Sequence, residues 1–219
     1  MGREHYARRR MSSARNVTHD ARFLTHHALR IKGFAKSETL AEMTALDHSE
    51  VEIHLADLAA AEWAMYREAR SLWQLTPAGK AEHPKVLASD IASVDLDALR
   101  VHYHGFLELN TAFKDLCGDW QLRDGAPNDH SDAAYDAKVV ARLVDLHGDT
   151  APIVTSMSGI LGRLAPYVPR LSSTCAAVVA GQTNMFTGVM CGSFHDVWME
   201  LHEDLILSQG IDRAMEGSF

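Results

Sequence analysis

The stretch EARSLWQLTPAGKAEH, from Glu68 to His83, decides the fold. With the residues just before it, the stretch has the alternating and aromatic apolar side chains that are typical of strands, which predicts a hairpin with its tip at residues 67–71. Pro77 has no amide hydrogen to donate to a sheet, and its fixed backbone angle suits the first turn of a helix. The hairpin is therefore predicted to end at Thr76 and to lead into a helix.

Three short helices are predicted before this hairpin. The first has Thr18 as a candidate N-cap and Gly33 as its stop, and Ser37 is the candidate cap of the second. Ser49 and Glu52 form a capping box, which predicts the start of the third helix. That helix is expected to bury Val51, Leu55 and Leu58, with Ala59 and Trp63 beyond them.

The chain beyond about residue 94 has apolar residues at intervals of three and four, which predicts helices. One long amphipathic helix is expected over residues 94–120, followed by a loop rich in Gly, Pro, Asn and Asp over 121–132. Further helices are expected over 131–147, over 149–181 with a break near Pro166 and Pro169, and over 193–209. Short connections between such helices favour an antiparallel bundle.

The charge of the chain is divided unevenly along its length. The first 36 residues contain nine basic and two acidic side chains, whereas residues 101–219 contain seven basic and 15 acidic ones and so account for the whole net charge of −8. Because a local excess of positive charge attracts polyanions, the N-terminal part is the candidate for contact with nucleic acid.

The cysteines and the apolar runs of the sequence indicate the cellular compartment of the protein. The chain has three cysteines, which are widely spaced and form no CxxC motif, so neither a disulfide framework nor a cysteine-rich zinc site is expected. No run of about 18 apolar residues is present, and residues 2–15 lack the apolar core of a secretory signal. We therefore expect a cytoplasmic protein whose residues 1–17 form a basic, flexible arm; a transit peptide is the less favoured interpretation of the arm.

Two phrases resemble a known family. LAEMTALDHSEVEIHLADLAAAEWA (40–64) and WQLTPAGKA (73–81) are similar to the second helix, recognition helix and wing of MarR-like winged-helix transcriptional regulators. The likeness spans residues 23–83, about a quarter of the chain, and the layout with a separate helical domain behind is similar to that of GntR-type regulators. It implies a mainly α fold: a winged helix-turn-helix with a small β-hairpin wing over residues 18–90, then an all-α helical-bundle domain for dimerisation and effector binding over 91–219.

What the resemblance implies for function is transcription regulation by a homodimer that binds double-stranded DNA, with the third helix in the major groove and the wing on the backbone. The third helix has three carboxylates and no lysine or arginine on its outward face, so contacts to phosphates must come from the wing and the arm. The alternative is a protein-interaction module whose acidic helix binds a basic partner. The implied DNA-contacting residues are Ser37, His48, Ser49, Glu50, Glu52 and Ile53 in the helices, Arg67 and Arg70 in the wing, and Arg8, Arg9 and Arg10 in the arm.

Two turns depart from the family's pattern. Where such proteins usually have glycine, after the second helix and at the end of the third, this chain has Ala45 and Glu62. A left-handed backbone costs a residue other than glycine roughly 1 kcal/mol. The two turns are therefore expected to differ in conformation from those of the family.

The sequence gives no support for an enzyme or a bound cofactor. It has no GxSxG, no P-loop and no GxGxxG after a strand. The chain has 13 histidines, of which His104, His195 and His202 are the candidates for a metal-binding helical sensor, the alternative being surface or hydrogen-bonded histidines. Because methionine and aromatic side chains line adaptable apolar pockets, the candidates for a small-molecule effector pocket are Tyr103, Phe106, Met157, Phe186, Met190 and Trp198.

Overall fold

The computed structural model describes residues 19–212, which are mainly helical with two small antiparallel sheets, so the predicted mainly α class is confirmed. The arm with Arg8, Arg9 and Arg10, and the predicted cap at Thr18, lie outside these residues. The helices are α1 (Ala21–Lys32), α2 (Ser37–Thr44), α3 (His48–Ala60), α4 (Pro77–Asp90), α5 (Leu96–Gln121), α6 (Ala133–Ile160), α7 (Tyr167–Val179), α8 (Asn184–Thr187) and α9 (Phe194–Gln209). The strands are β1 (Phe34–Ala35), β2 (Ala64–Arg67), β3 (Leu72–Leu75), β4 (Leu122–Arg123) and β5 (Ala126–Pro127).

The hairpin expected from the opening stretch consists of β2 and β3, joined by a 3-10 turn over Glu68–Arg70. The two strands pair antiparallel, with Tyr66 opposite Trp73. Strand β1 pairs with the other edge of β3, which gives the strand order β1-β3-β2. Two residues are too few to show alternation, and for this reason β1 could not be predicted from the sequence.

The segment after the hairpin locks its base to α4. Thr76 is the N-cap of α4, where its hydroxyl accepts a hydrogen bond from the amide of Gly79 at 3.1 Å and donates one to the carbonyl of Glu62 at 2.6 Å. A Cβ atom at Gly79 would overlap the backbone carbonyl of Trp63. The strand therefore ends and the helix begins where the proline predicts, and the glycine is required by a close approach of backbones.

The predicted helix caps are partly wrong. Helix α3 begins at His48 with Asp47 as its N-cap, so Ser49 does not head a capping box. Helix α2 has Lys36 as its N-cap, and the hydroxyl of Ser37 lies 2.8 Å from Nε2 of His48 at the start of α3. The stop at Gly33 is confirmed, and the buried side of α3 consists of Val51, Leu55 and Leu58 as expected.

The expectation that two turns differ from the glycine geometry is wrong. Ala45 has a φ of 55° and Glu62 a φ of 60°, both in the left-handed region. The chain keeps the turn conformations and bears a cost of roughly 1 kcal/mol at each. Packing of α3 against α1 and α2 thus overrides the local preference of the two residues.

The helical part differs from prediction at two places. Residues 121–132 contain the β4–β5 hairpin, whose turn has Asp124 and Gly125 at φ of 51° and 81°, so the expected loop is partly strand. Helix α6 continues through Gly148 and Pro152 to Ile160, and the predicted break between His147 and Asp149 is absent. Its residues Leu143, Leu146 and Val154 are buried in the core, and this packing outweighs the local signals of glycine and proline.

Two separate hydrophobic cores lie in the described residues. The smaller one joins α1, α2 and α3 to the three-stranded sheet, and the larger one lies among α5, α6, α7 and α9. No helix within residues 19–212 is both long and apolar enough to span a membrane. The two cores meet where α1 contacts α9.

Candidate functional site

The outer face of α3 is exposed and acidic, as the sequence predicts. The side chains of Glu50 and Glu52 are 45% and 60% exposed, and each has a histidine one turn away on the same helix, His54 at 3.7 Å and His48 at 3.6 Å. Ile53 is 61% exposed between them. Ser49 is also exposed, whereas Ser37 at the start of α2 is half-buried. The face offers hydrogen-bond acceptors and an apolar contact, but no lysine or arginine.

Two exposed positive groups of this half lie at the hairpin. Arg67 and Arg70 are exposed, and in residues 19–212 no carboxylate lies within 4 Å of either guanidinium. The side-chain oxygen of Gln74, in the amide orientation that satisfies both partners, accepts from Nε and Nη2 of Arg67 at 2.9 Å. The guanidinium of Arg70 lies 5.7 Å from the centre of the Phe34 ring. Both arginines are thus held at the hairpin and remain available to an anion.

The predicted effector residues lie mostly in the core of the helical part. Phe106 and Trp198 stack at 5.0 Å between ring centres and are fully buried, whereas Met190 is 71% exposed. The other buried members are Tyr103, Met157 and Phe186. A cavity of about 370 Å³ lies instead between α1 and α4, and one of about 320 Å³ between α5 and α9. The second is lined by Asn110, Phe113, Lys114, Gln121, His195 and Met199, among others.

The three candidate metal histidines are not brought together as a metal centre. His104 is exposed, and Nε2 of buried His202 lies 3.2 Å from the hydroxyl of Tyr103. His195 has its ring against Phe113. In the part of the chain that the structure describes, no group of three or more His, Cys, Asp or Glu is placed to hold a metal ion.

A buried polar cluster joins the two cores, and the sequence did not point to it. His27 on α1 lies between His83 on α4, at 2.8 Å from Nδ1 to Nε2, and Asp204 on α9, at 3.0 Å from Nε2 to Oδ1. All three residues are at most 3% exposed. With the Nε2–H of His27 donating to the carboxylate, its Nδ1 must accept from His83. The polar chain therefore crosses directly from one core to the other.

Arg163, in the turn after α6, holds the same cluster from the other side. Its Nη1 donates to Asp90 at the end of α4 at 2.9 Å, and its Nη2 donates to Asp204 at 2.9 Å and to the hydroxyl of Ser208. The second oxygen of Asp90 lies 2.6 Å from Nδ1 of His19, whose Nε2 accepts from the backbone amide of Arg163 at 3.1 Å. The guanidinium thus bridges a carboxylate of each half.

A second bridge lies one turn away on α9. Glu200 accepts from Lys32 at the end of α1 and from Arg170 on α7, both at 2.6 Å. The Glu200 side chain is only 5% exposed. Helix α1 is therefore attached to α9 at two levels, through Lys32 to Glu200 and through His27 to Asp204.

The electrostatics of the cluster keep Asp204 ionised and the imidazoles of His27 and His83 neutral. Burial alone would raise the pKa of Asp204, but Arg163 and His27 beside it hold that pKa well below its usual value. Burial, together with nearby His27 and His26, lowers the pKa of His83 from 6.5 to about 3. Burial also lowers the pKa of His27, although Asp204 opposes this. The centre of the cluster is therefore the neutral imidazoles of His27 and His83 beside the ion pair of Arg163 and Asp204.

The missed residues did carry a weak signal. The phrase FLTHHALRIKG places His26 and His27 beside Phe23 and Leu29 on the apolar side of α1, where a polar residue must find a buried partner. Nothing in the sequence names that partner, because His27 and Asp204 are 177 residues apart.

Comparisons with known proteins add no relative. No protein-family model matches the sequence, and no curated protein and no solved structure matches it.

Proposed function

We propose that the chain is a DNA-binding transcriptional regulator with a MarR-like winged helix-turn-helix in its N-terminal half. The observation that carries the proposal is the arrangement of that half: the order α1-β1-α2-α3-β2-β3, with β1 paired to β3 and two exposed arginines, Arg67 and Arg70, at the hairpin. In such an arrangement the hairpin is the wing and α3 the recognition helix. A regulator of this kind acts in the cytoplasm.

In the proposed complex each part of the surface has its own role. Arg67 and Arg70 contact phosphates, and the acceptors on α3 read bases, for example a glutamate that accepts from the amino group of cytosine. A homodimer formed through the helical domain sets two α3 helices about 34 Å apart, one turn of DNA. A small-molecule effector bound in the helical domain, where the cavity between α5 and α9 offers room, would shift the equilibrium between two spacings.

One observation favours a second candidate function. The outer face of α3 has Glu50 and Glu52 exposed, and a polyanion is repelled by such a face. A basic protein surface is attracted by it. The second candidate is therefore a winged-helix module that binds a protein partner without binding DNA.

The experiment that tests the proposal is DNA binding by the full chain. A fluorescent duplex from the protein's own upstream region is titrated at 50 and 200 mM salt, with an unrelated duplex as competitor. Each phosphate contact is expected to weaken binding about 3.5-fold over this change in salt. Replacing Arg67 and Arg70 by alanine together should lower affinity and reduce the salt dependence by about two contacts.

The matched control is Arg100→Ala, which removes one exposed arginine that pairs with Asp97 on α5. This variant should bind DNA as the wild type does. Absence of salt-dependent binding by the wild-type protein would reject the regulator and leave the protein-interaction module. Binding that is unchanged in the Arg67/Arg70 variant would reject the role given to the hairpin.

A further inference from the structure

The cavity between α5 and α9 is formed by one side of each helix. Its volume of about 320 Å³ lies within the range of small-molecule sites, which is about 300 to 1,000 Å³. The lining residues follow the spacing of three and four positions that places side chains on one helix face. They include Asn110, Phe113, Lys114 and Gly118 on α5, and His195 and Met199 on α9.

The charge of its lining distinguishes this cavity from others in the molecule. No aspartate or glutamate lines it, although residues 101–219 contain 15 acidic side chains. Four other cavities within residues 19–212 each have at least one carboxylate in their lining, such as Asp90, Asp204 or Glu200. Lys114 is exposed at the rim, and among the described residues no carboxylate lies within 4 Å of its ammonium group. An anion in this cavity therefore meets a cation and no acid.

Asn110 supplies a hydrogen-bond donor whose orientation is fixed. The indole N–H of Trp198 can only donate, and it donates to Oδ1 of Asn110 at 2.9 Å. The NH₂ group of Asn110 is thus turned away from Trp198, and it makes no hydrogen bond to any other residue in 19–212. Because Asn110 is only 3% exposed, this donor depends on an acceptor inside the cavity.

The opposite wall offers an imidazole and apolar surface. The ring of His195 makes no hydrogen bond within the described residues, and its Nδ1 is buried without a partner. Burial lowers the pKa of His195, although Asp196 opposes this, so the ring is neutral near pH 7 and carries one N–H. Phe113, whose ring centre lies 6.2 Å from that of His195, and Met199 provide apolar contacts. The lining thus combines donors with a hydrocarbon surface.

We propose that this cavity binds a small monocarboxylate with a hydrocarbon body. Asn110 and Lys114 are four residues apart on α5 and therefore neighbours on one face, so that the NH₂ group and the ammonium group can each donate to the carboxylate. Phe113 and Met199 contact the hydrocarbon. A phosphate dianion is not expected, because the lining supplies a single cation.

Helix α9 connects this cavity to the N-terminal half. The residues of α9 that line the cavity lie on one side of the helix, whereas Glu200 and Asp204 lie on the opposite side, where they bond to Lys32 and His27 of α1. A ligand in the cavity therefore contacts the helix that holds α1. That the bound carboxylate alters DNA affinity rests on the proposed function, whereas its binding does not.

The test is isothermal titration calorimetry of the full chain with three monocarboxylates of different shape, hexanoate, cyclohexanecarboxylate and phenylacetate, each compared with its neutral amide. At least one carboxylate is expected to bind, and to bind about 5-fold more tightly than its amide, because hydrogen bonds to an ionised oxygen are the stronger ones. Lys114→Met should remove this preference. Lys138→Met, which removes an exposed lysine of α6 outside the cavity, should bind as the wild type does.

The place of binding is tested by filling the cavity. A Cβ atom at Gly118 would have no atom within 4 Å, so Gly118→Leu should fold, place its side chain in the cavity and abolish binding. Gly148→Leu is the matched control, because Gly148 lies on α6 outside the cavity and has the same open space around it.

Four results would overturn the site: no binding of any of the three carboxylates at concentrations up to about 10 mM, an amide that binds as tightly as its carboxylate, a Lys114→Met variant that keeps the preference, or a Gly118→Leu variant that binds as the wild type does. Binding of the duplex described above is measured with and without the tightest carboxylate. Carboxylate binding by a chain that binds no DNA would reject the regulator alone, and DNA binding by a chain that binds no carboxylate would reject the site alone.

Discussion

Replacing Arg163 by methionine is the sharpest test of the junction, the buried cluster of His27, Arg163 and Asp204 with their partners where the two cores meet. The guanidinium is 2% exposed and neutralises Asp90 and Asp204, whose side chains are 5% and 3% exposed. Methionine is of similar length and leaves both carboxylates buried without it, although Asp90 keeps His19 and Asp204 keeps His27. Removing one partner of a buried ion pair costs about 3 to 5 kcal/mol. We expect a loss of that size in the free energy of unfolding.

The assay is urea unfolding of the full chain at pH 7.5, followed by circular dichroism. Arg142→Met is the control, because its pair with Asp119 on the surface of the helical part has both side chains about half exposed and should contribute less than about 1 kcal/mol. Adding Asp204→Asn to Arg163→Met should recover part of the loss, since the stranded charge is then gone. A loss below about 1 kcal/mol for Arg163→Met, with no recovery in the double variant, would refute the view that these charges are buried and dependent on one another.

Three further predictions concern the backbone and pH. Gly79→Ala should cost at least about 2 kcal/mol in urea unfolding because its Cβ meets a backbone carbonyl, whereas Gly118→Ala, with open space around it in α5, should stabilise by about 0.5 to 1 kcal/mol. Ala45→Gly and Glu62→Gly should each raise the free energy of unfolding by up to about 1 kcal/mol, and with it the melting temperature, because both residues have positive φ. A lower melting temperature for both variants would contradict the assigned turns. The pKa of His83 is about 3 in the folded protein and 6.5 in the unfolded chain, so acid favours the unfolded chain, which binds the proton more readily. The free energy of unfolding should therefore be unaffected by His83 above pH 6.5 and should fall below it, by at most about 3 kcal/mol at pH 4. Urea unfolding at pH 7 and pH 4 should show this loss in the wild type and a smaller one in His83→Gln.

Local signals in the sequence were sufficient for the hairpin, for the helix that Pro77 begins and for the buried side of α3. Each depends on residues within a few positions of one another, where periodicity and the chemistry of proline act directly. The continuous α6 differs from the prediction because its glycine and proline are outweighed by packing against distant helices. The Asp124-Gly125 pair is a known signal for a tight hairpin, and the structure shows that it outweighs the loop-forming composition of residues 121–132.

The junction could not be predicted for a different reason. Its members come from α1, α4, the turn after α6, and α9, and each side chain alone is ordinary in its own segment. Only the meeting of the two cores turns His27 and Asp204 into partners. A single sequence gives no account of which helices cross, and so a site made at a crossing is invisible to it.

The polar character of the junction also bears on how the molecule responds to heat and denaturant. Separating two apolar surfaces exposes them to water, and the heat capacity and the denaturant dependence of that step rise with the area exposed. The boundary between α1 and the helical part holds His27, Arg163 and Asp204 together with apolar side chains such as Leu24 and Ile31. Because exposed polar groups lower the heat capacity and exposed apolar groups raise it, the two contributions would partly cancel on separation of this boundary, and its calorimetric signal would be weaker than that of unfolding either core.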